Sequence, residues 1–193
     1  EGALRKSNPP EILNADLSQF ALEIGHWGTK PANLSFLDQP NPKRYLEAIR
    51  LLKQLGALDC NDRITDHGKA ISSLPVHPRL GHMLVMAGTK GVELASLLDE
   101  RDPIIGAKTS DITIRLSLIA TPNKFINKNS NSVNFSVLER IKKNRLRLIA
   151  LLGTPKINLT TAQMAALAYP DRIGARREGK QPRYLLSGGA GAK

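Results

Sequence analysis

The sequence predicts a mainly α protein in which a helix, helix, small β-hairpin, helix module is followed by a helical bundle. Three observations carry this reading. Apolar residues recur at three- and four-residue spacing through most of the chain, as one face of a helix requires. Proline opens several of these runs and glycine closes them, the asymmetry of helix starts and stops. Between the second and third runs, Asn61-Asp62 is flanked by two short apolar stretches, 57–60 and 63–65, and such a pair suits a tight hairpin turn.

The elements follow in order. After Pro9-Pro10, residues 11–27 place Ile12, Leu13, Leu17, Phe20, Ala21 and Ile24 at helical spacing, with Gly25 and Gly28 at the end, which predicts one amphipathic helix over the whole segment. A loop punctuated by Pro31, Pro40 and Pro42 leads to a second helix over 43–55, whose stripe is Tyr45, Ala48, Ile49, Leu52 and Leu55 and whose stop is Gly56. The hairpin comes next, with Cys60 expected in its apolar core. A third helix, 66–73, is closed by Leu74-Pro75. Together these are the elements of a winged-helix module.

From His77-Pro78 onward the pattern is helical. Leu80, Met83, Leu84 and Ala87 mark one helix and Leu94, Ala95, Leu97 and Leu98 another. Residues 111–120 fit helix or strand by pattern, and their helical neighbours favour helix. The stretch 121–134 has five asparagines and no periodicity, so a flexible loop is expected. Over 136–152, Ser136 is the expected N-cap, Glu139 its capping-box partner and Gly153 the stop. On this helix Leu138, Ile141, Leu148, Ile149 and Leu152 share a face, while Arg140, Lys143 and Arg147 fall within about 60° of one another opposite it. Arg145 lies in the apolar sector and must snorkel or pair. A short helix over 160–168 precedes a polar, glycine-rich tail in which Tyr184-Leu185-Leu186 reads as a strand.

Charge narrows the function classes. The chain has 193 residues and a formal net charge of +11. Cations and anions balance nine to nine over 1–75 and five to five over 76–123, but stand at 14 to 3 over 124–193. Clustered charge builds a local potential that interspersed charge cancels, so a polyanion is the leading partner class. No apolar stretch approaches the about 20 residues of a membrane span, and a membrane partner is not expected. The single cysteine excludes an intrachain disulfide and a multi-cysteine zinc site, and fits a reducing, cytoplasmic setting. The chain opens on Glu1 with no signal segment and reads as a piece of a longer protein.

Motifs for chemistry are sparse. Gly88-Thr89-Lys90 and Gly68-Lys69 lack the remainder of a GxxxxGK[ST] phosphate loop, so no ATP site is expected in this segment. His26, His67, His77 and His82 have no metal-ligand spacing. The acidic run Asp99-Glu100-Arg101-Asp102 is read as a solvated helix end before Pro103, because successive carboxylates point in different directions.

Several blocks in order, Pro10-Glu11-Ile12, Phe36-Leu37-Asp38-Gln39-Pro40, Leu55-Gly56-Ala57-Leu58-Asp59, Ile64-Thr65-Asp66-His67-Gly68-Lys69 and Leu74-Pro75-Val76-His77-Pro78, resemble the region that follows the motor core in DEAH-type ATP-dependent helicases. Tyr169-Pro170-Asp171-Arg172-Ile173, Arg176-Arg177 and Arg183 through Ala192 resemble the bacterial HrpB branch. The resemblance implies a winged-helix module with a small β-hairpin over 10–75 and a ratchet-like helical bundle over 76–153 containing the flexible loop 121–134. It further implies that 154–193 is the last helix and the start of a C-terminal domain, and that 1–9 ends an upstream motor domain or linker. Two RecA-like motor domains in the same chain, with ATP and magnesium, are implied for the parent; no cofactor and no catalytic residue is expected in this segment. The expected role is to guide a single strand, RNA in the first instance, relative to the motor, with Arg140, Lys143, Arg147, Arg172, Arg176, Arg177 and Arg183 as contacts. The alternatives are a winged-helix DNA-binding regulator with a helical arm and a basic protein-interaction scaffold. The regulator is disfavoured because the third helix carries a single cation, Lys69, where a groove-reading helix needs several contacts.

Overall fold

In the computed structural model, which describes residues 9–123, 125, 133–154, 157–179 and 181–192, the first helix starts later than its periodicity predicts. Residues Glu11–Leu13 form one 3-10 turn, and α1 runs over Ser18–Trp27. The Asp16 carboxylate accepts the Ser18 backbone N–H at 2.7 Å. That side chain offers the backbone a local partner in place of a helical carbonyl, which separates the two turns. Gly28 ends α1 at a φ of 71°, a left-handed conformation that suits glycine.

Helix α2 spans Pro42–Gln54 with proline in the first turn and the Asn41 side-chain Oδ1 accepting from the N–H groups of Lys43 and Arg44. Helix α3 spans Asp66–Ser72 and is capped by Thr65, whose hydroxyl accepts from Gly68 N at 2.9 Å. Helix α1 packs on both α2 and α3, burying Ala21, Leu22 and Ile24 with Ala48, Leu52, Leu55 and Ile71 in the core of this unit.

The expected hairpin is reduced to a single antiparallel bridge, Leu58 with Ile64. The Asp59 carboxylate accepts the N–H groups of Asn61 and Arg63 at 2.8 and 2.9 Å, diverting donors that a ladder would use, and Asp62 takes a φ of 64° to close the turn. Cys60 is exposed on this turn rather than buried. Its neighbours Ala57 and Leu58 take the core positions, and its carbonyl accepts from Lys53 Nζ at 3.0 Å. Gly68 is required by contact: a Cβ there would lie 2.1 Å from the Ala57 carbonyl oxygen and 2.8 Å from Ile64 Cγ1. The sequence Gly68-Lys69 thus serves the close approach of α3 to the turn.

By contact the chain divides into two units, Glu1–Pro78 and Arg79–Lys193. The second contains α4 (Pro78–Ala87, entered at its second residue), a 3-10 turn over Gly88–Gly91, and α5 (Val92–Leu98). It continues with α6 (Ile112–Ala120), α7 (Phe135–Leu151) and α8 (Thr161–Ala168). The ambiguous segment 111–120 is therefore helical, with Asp111 capping it through Thr113 N. Helix α5 contacts α6, α7 and α8, and a core of Leu97, Leu118, Ile119, Val133, Val137, Leu138 and Ile141 fills the space around it.

Helix α7 is capped by Asn134, which accepts from Val137 N at 3.3 Å, and not by Ser136. The chain is already held at Asn134, whose N–H donates to the Pro103 carbonyl at 2.8 Å. Ser136 donates its hydroxyl to Asn134, and Glu139 pairs with Lys142 instead of closing a capping box. A capping box does form at α8, between Thr160 and Gln163. Of the expected loop 121–134, residues 122, 123 and 125 are helical and Val133 bridges to Ile104; 124 and 126–132 lie outside the described residues.

The tail forms a three-stranded antiparallel sheet in the order β1 (Gly174–Arg176), β2 (Tyr184–Leu186), β3 (Gly191–Ala192). Only β2 has the apolar run that announces a strand. The glycine, alanine and arginine of β1 and β3 have low β propensity and are strands by pairing alone. The fold is mainly α with this small sheet, and no helix among the described residues is long and apolar enough to cross a membrane.

Two substitutions test the first unit. Leu52 is fully buried, so Leu52→Asp places an unpaired charge in the core at a cost of several kcal/mol and unfolds the unit; native circular dichroism and melting would contradict this. Gly68→Ala forces the turn away from α3 and costs about 1–3 kcal/mol in chemical denaturation.

Candidate nucleic-acid interface

The acidic run after α5 is exposed at Asp99 and Asp102, as expected of a solvated helix end, and its carboxylates are also engaged. Asp99 accepts from Asn144 Nδ2 at 2.9 Å, Glu100 from Arg140 Nε at 2.9 Å, and Asp102 from Arg115 Nη2 at 2.6 Å. Successive carboxylates do point apart, and each meets a different donor on α6 or α7. Arg115 is buried, with 7% of its surface exposed, and also donates to the Asp111 carbonyl at 2.8 Å. Burial pushes the Asp102 carboxyl upward, but the hydrogen bonds from Arg115 and Ile104 N and the Arg115 charge outweigh it and hold the group below its ordinary range.

These pairs sort the cations of α7. Arg140 is tied to Glu100, Lys142 to Glu139 and Arg145, from the apolar sector, to Glu93 at 3.3 Å. Lys143 and Arg147 are exposed and make no close ion pair among the described residues. The stripe expected on this helix is present, with one of its three members partly neutralised.

The tail arginines are brought together by the sheet. Arg176 stands opposite Tyr184 in the register of β1 and β2, and Arg177 N donates to the Arg183 carbonyl at 2.7 Å, which sets Arg177 beside Arg183 one step further along. Like charges directly opposite one another destabilise a sheet. No acidic partner closes on Arg176, Arg177 or Arg183 among the described residues. Arg177, Arg183, Tyr184, Gly191 and Ala192 line a concave site of about 350 Å³. Arg172 lies apart, its guanidinium 4.9 Å from the centre of the Tyr169 ring.

Tyr184 is the contact candidate that sequence reasoning passed over. Its aromatic ring at the start of β2, directly after Arg183, is the available signal. Among the described residues, no group of three histidine, cysteine or acidic side chains is placed to hold a metal ion.

Residues 48–76, from α2 through α3 to the end of the first module, match the helicase associated domain (HA2), winged-helix family. The chain is 33% identical over 189 residues, 95% of its length, to the ATP-dependent RNA helicase HrpB of Escherichia coli K12. Superposition on a crystal structure of the E. coli DExH-box NTPase HrpB covers 96% of the chain with a TM-score of 0.71 and 31% identity. The chain belongs to the helicase-associated region of the DExH-box helicase family. It is also 30% identical over 105 residues to the ATP-dependent RNA helicase HrpA of E. coli K12, a match that covers 49% of the chain and 8% of HrpA. The chain spans about a fifth of HrpB, 21% of that protein. As a helicase-associated region it matches HrpB through both units, whereas the likeness to HrpA takes in about half.

Asp102→Ala strands the buried Arg115 guanidinium and costs the second unit about 1–3 kcal/mol in urea unfolding. Asp102 and Asp171 both lie below their ordinary value of 3.8. Their stabilising contribution is therefore complete above that value and is lost as pH falls through the lower, folded-state values. A melting series from pH 6 downward should be flat at first and fall below about pH 4; both single variants Asp102→Asn and Asp171→Asn should show a shallower fall.

Proposed function

We propose that the chain is the accessory region of an ATP-dependent RNA helicase and that its second unit holds a single strand by the phosphate backbone. The observation that carries this is the like-charged Arg177 and Arg183 pair at the ends of two adjacent strands with no acidic partner among the described residues, together with exposed Lys143 and Arg147 on α7. Such an arrangement is unfavourable by itself and becomes favourable when an anion sits between the guanidinium groups. Tyr184 offers a face on which a base can stack without regard to sequence. The relatives HrpB and HrpA are named as ATP-dependent RNA helicases, which supports RNA as the substrate class; ATP and magnesium belong, in this reading, to motor domains elsewhere in the parent. Arg140 and Arg172 contribute to the positive surface while engaged with Glu100 and the Tyr169 ring respectively.

The regulator reading loses further ground. Lys69, the lone cation of α3, is paired with Asp66 at 2.9 Å, so that helix has no free positive group to lay in a groove.

The test is binding of unstructured oligonucleotides over a range of salt. Replacing Arg140, Lys143 and Arg147 together with Gln should weaken binding for all sequences and reduce the salt slope by roughly one unit per lost phosphate contact. Arg177→Gln with Arg183→Gln should do the same, with little loss of stability, since exposed charges contribute little to it. Unchanged affinity and slope in both variants would refute the reading. Because the GxxxxGK[ST] loop is missing, the isolated chain should release no phosphate from ATP, with or without RNA; turnover by the pure chain would contradict this.

A further inference from the structure

The residues Tyr169 to Asp171 join α8 to the sheet, and they are tied to the start of α4. Arg79, the second residue of α4, grips the Asp171 carboxylate with both terminal nitrogens at 2.5 and 3.0 Å, and the side chains of this pair are 13% and 30% exposed. The same guanidinium lies 5.3 Å from the Tyr169 ring centre and donates to the Ala168 carbonyl at 3.4 Å. Arg172 stacks on that ring too.

On its other side the segment holds the sheet. The Asp171 carbonyl accepts from Gly188 N at 2.9 Å, Ile173 O accepts from Ser187 N at 2.8 Å, and the Ser187 hydroxyl donates to the Pro170 carbonyl. Gly188 approaches so closely that a Cβ there would lie 2.9 Å from the Asp171 carbonyl oxygen. Strands of two or three residues have little stability of their own. Arg176 on β1 and the flanking Arg177 and Arg183 are exposed on the surface, so their placement depends on this attachment.

We infer that Asp171 is a positioning residue for the nucleic-acid site: clamped by Arg79, it fixes the sheet and orients Arg176, Arg177 and Arg183 toward one nucleic-acid strand. The inference rests on the proposed function and adds to it a residue of the wrong charge for direct contact. That charge makes the prediction sharp. By electrostatics alone, removing an anion beside a cluster of arginines strengthens the binding of a polyanion. A positioning role requires the opposite.

The experiment uses the full chain and a uridine oligonucleotide at fixed salt. Asp171→Asn should weaken binding by about three- to tenfold, the equivalent of about 0.6–1.4 kcal/mol. Asp171→Glu, which keeps the charge and can still reach Arg79, should recover most of it. Limited trypsin digestion supplies a second reading without nucleic acid. Cleavage after Arg176, Arg177 and Arg183 should accelerate in Asp171→Asn, while cleavage within α7, after Lys143 and Arg147, stays at the parent rate. Equal or tighter binding in Asp171→Asn, with Arg177→Gln/Arg183→Gln still weakening it, overturns the positioning role and leaves the proposed function standing. Parent-rate cleavage of the sheet in Asp171→Asn also overturns it. If the double arginine variant binds as the parent does, the sheet is not a nucleic-acid site and both proposals fail there.

Discussion

Three carboxylates within four residues, Asp99, Glu100 and Asp102, fasten the end of α5 to α6 and α7. Helix α5 is the element that α6, α7 and α8 all contact, and this short acidic run ties two of them, α6 and α7, to its end. Arg115 shows why the charges are needed. A buried guanidinium without a counter-charge is strongly destabilising, and Asp102 together with the Asp111 carbonyl satisfies it. The same run separates a cation of α7 that is paired from those that make no close ion pair among the described residues. Arg140, itself exposed, is paired with Glu100, and the unpaired positive charge of the helix is left with Lys143 and Arg147.

The sheet has a different dependence. Its strands are too short to persist unsupported, and two of its arginines lie side by side against their mutual repulsion. A fold that maintains such a pair needs stabilisation from elsewhere, and the Asp171 clamp is the contact that supplies it. Arg79 does three things with one planar group. It pairs with a carboxylate at both terminal nitrogens, stacks on Tyr169 and donates to a helix-end carbonyl. A lysine, with a compact ammonium group, cannot reproduce this combination.

The first unit is organised by backbone proximity instead of charge. Gly68 allows α3 to press against the turn that carries Leu58 and Ile64, and the Thr65 cap, bonded to Gly68 N and to the carbonyls of Gly56 and Ala57, holds the helix start at that spot. The winged-helix elements are thus tightly joined and present few free cations on α3, in keeping with a helicase-associated module and not with a groove-reading one.

Much of this architecture was legible in the sequence by itself. The spans of α2, α4, α5 and α8, the helical state of 111–120 and the need for Arg145 to find a partner follow from apolar periodicity, proline and glycine placement and one misplaced charge, all of which act within a few residues. The order of short blocks around 55–78 and 168–192 was enough to place the chain among its relatives. Where sequence reasoning missed, two or more local solutions competed. Asp16, Asp59 and Asn134 each divert a backbone donor, shortening α1, reducing the hairpin to one bridge and moving the cap of α7. Each side chain and the backbone carbonyl it replaces can satisfy the same donor, so the local pattern does not distinguish them beforehand. Only the tertiary structure decided that Cys60 faces solvent, that β1 and β3 are strands, and which cations are free. Those outcomes rest on partners far apart along the chain, Arg140 with Glu100 at a separation of 40 residues and Arg79 with Asp171 at 92. A charge states what it needs wherever it stands in a sequence, but which opposite charge reaches it is settled by the packing of the helices between them.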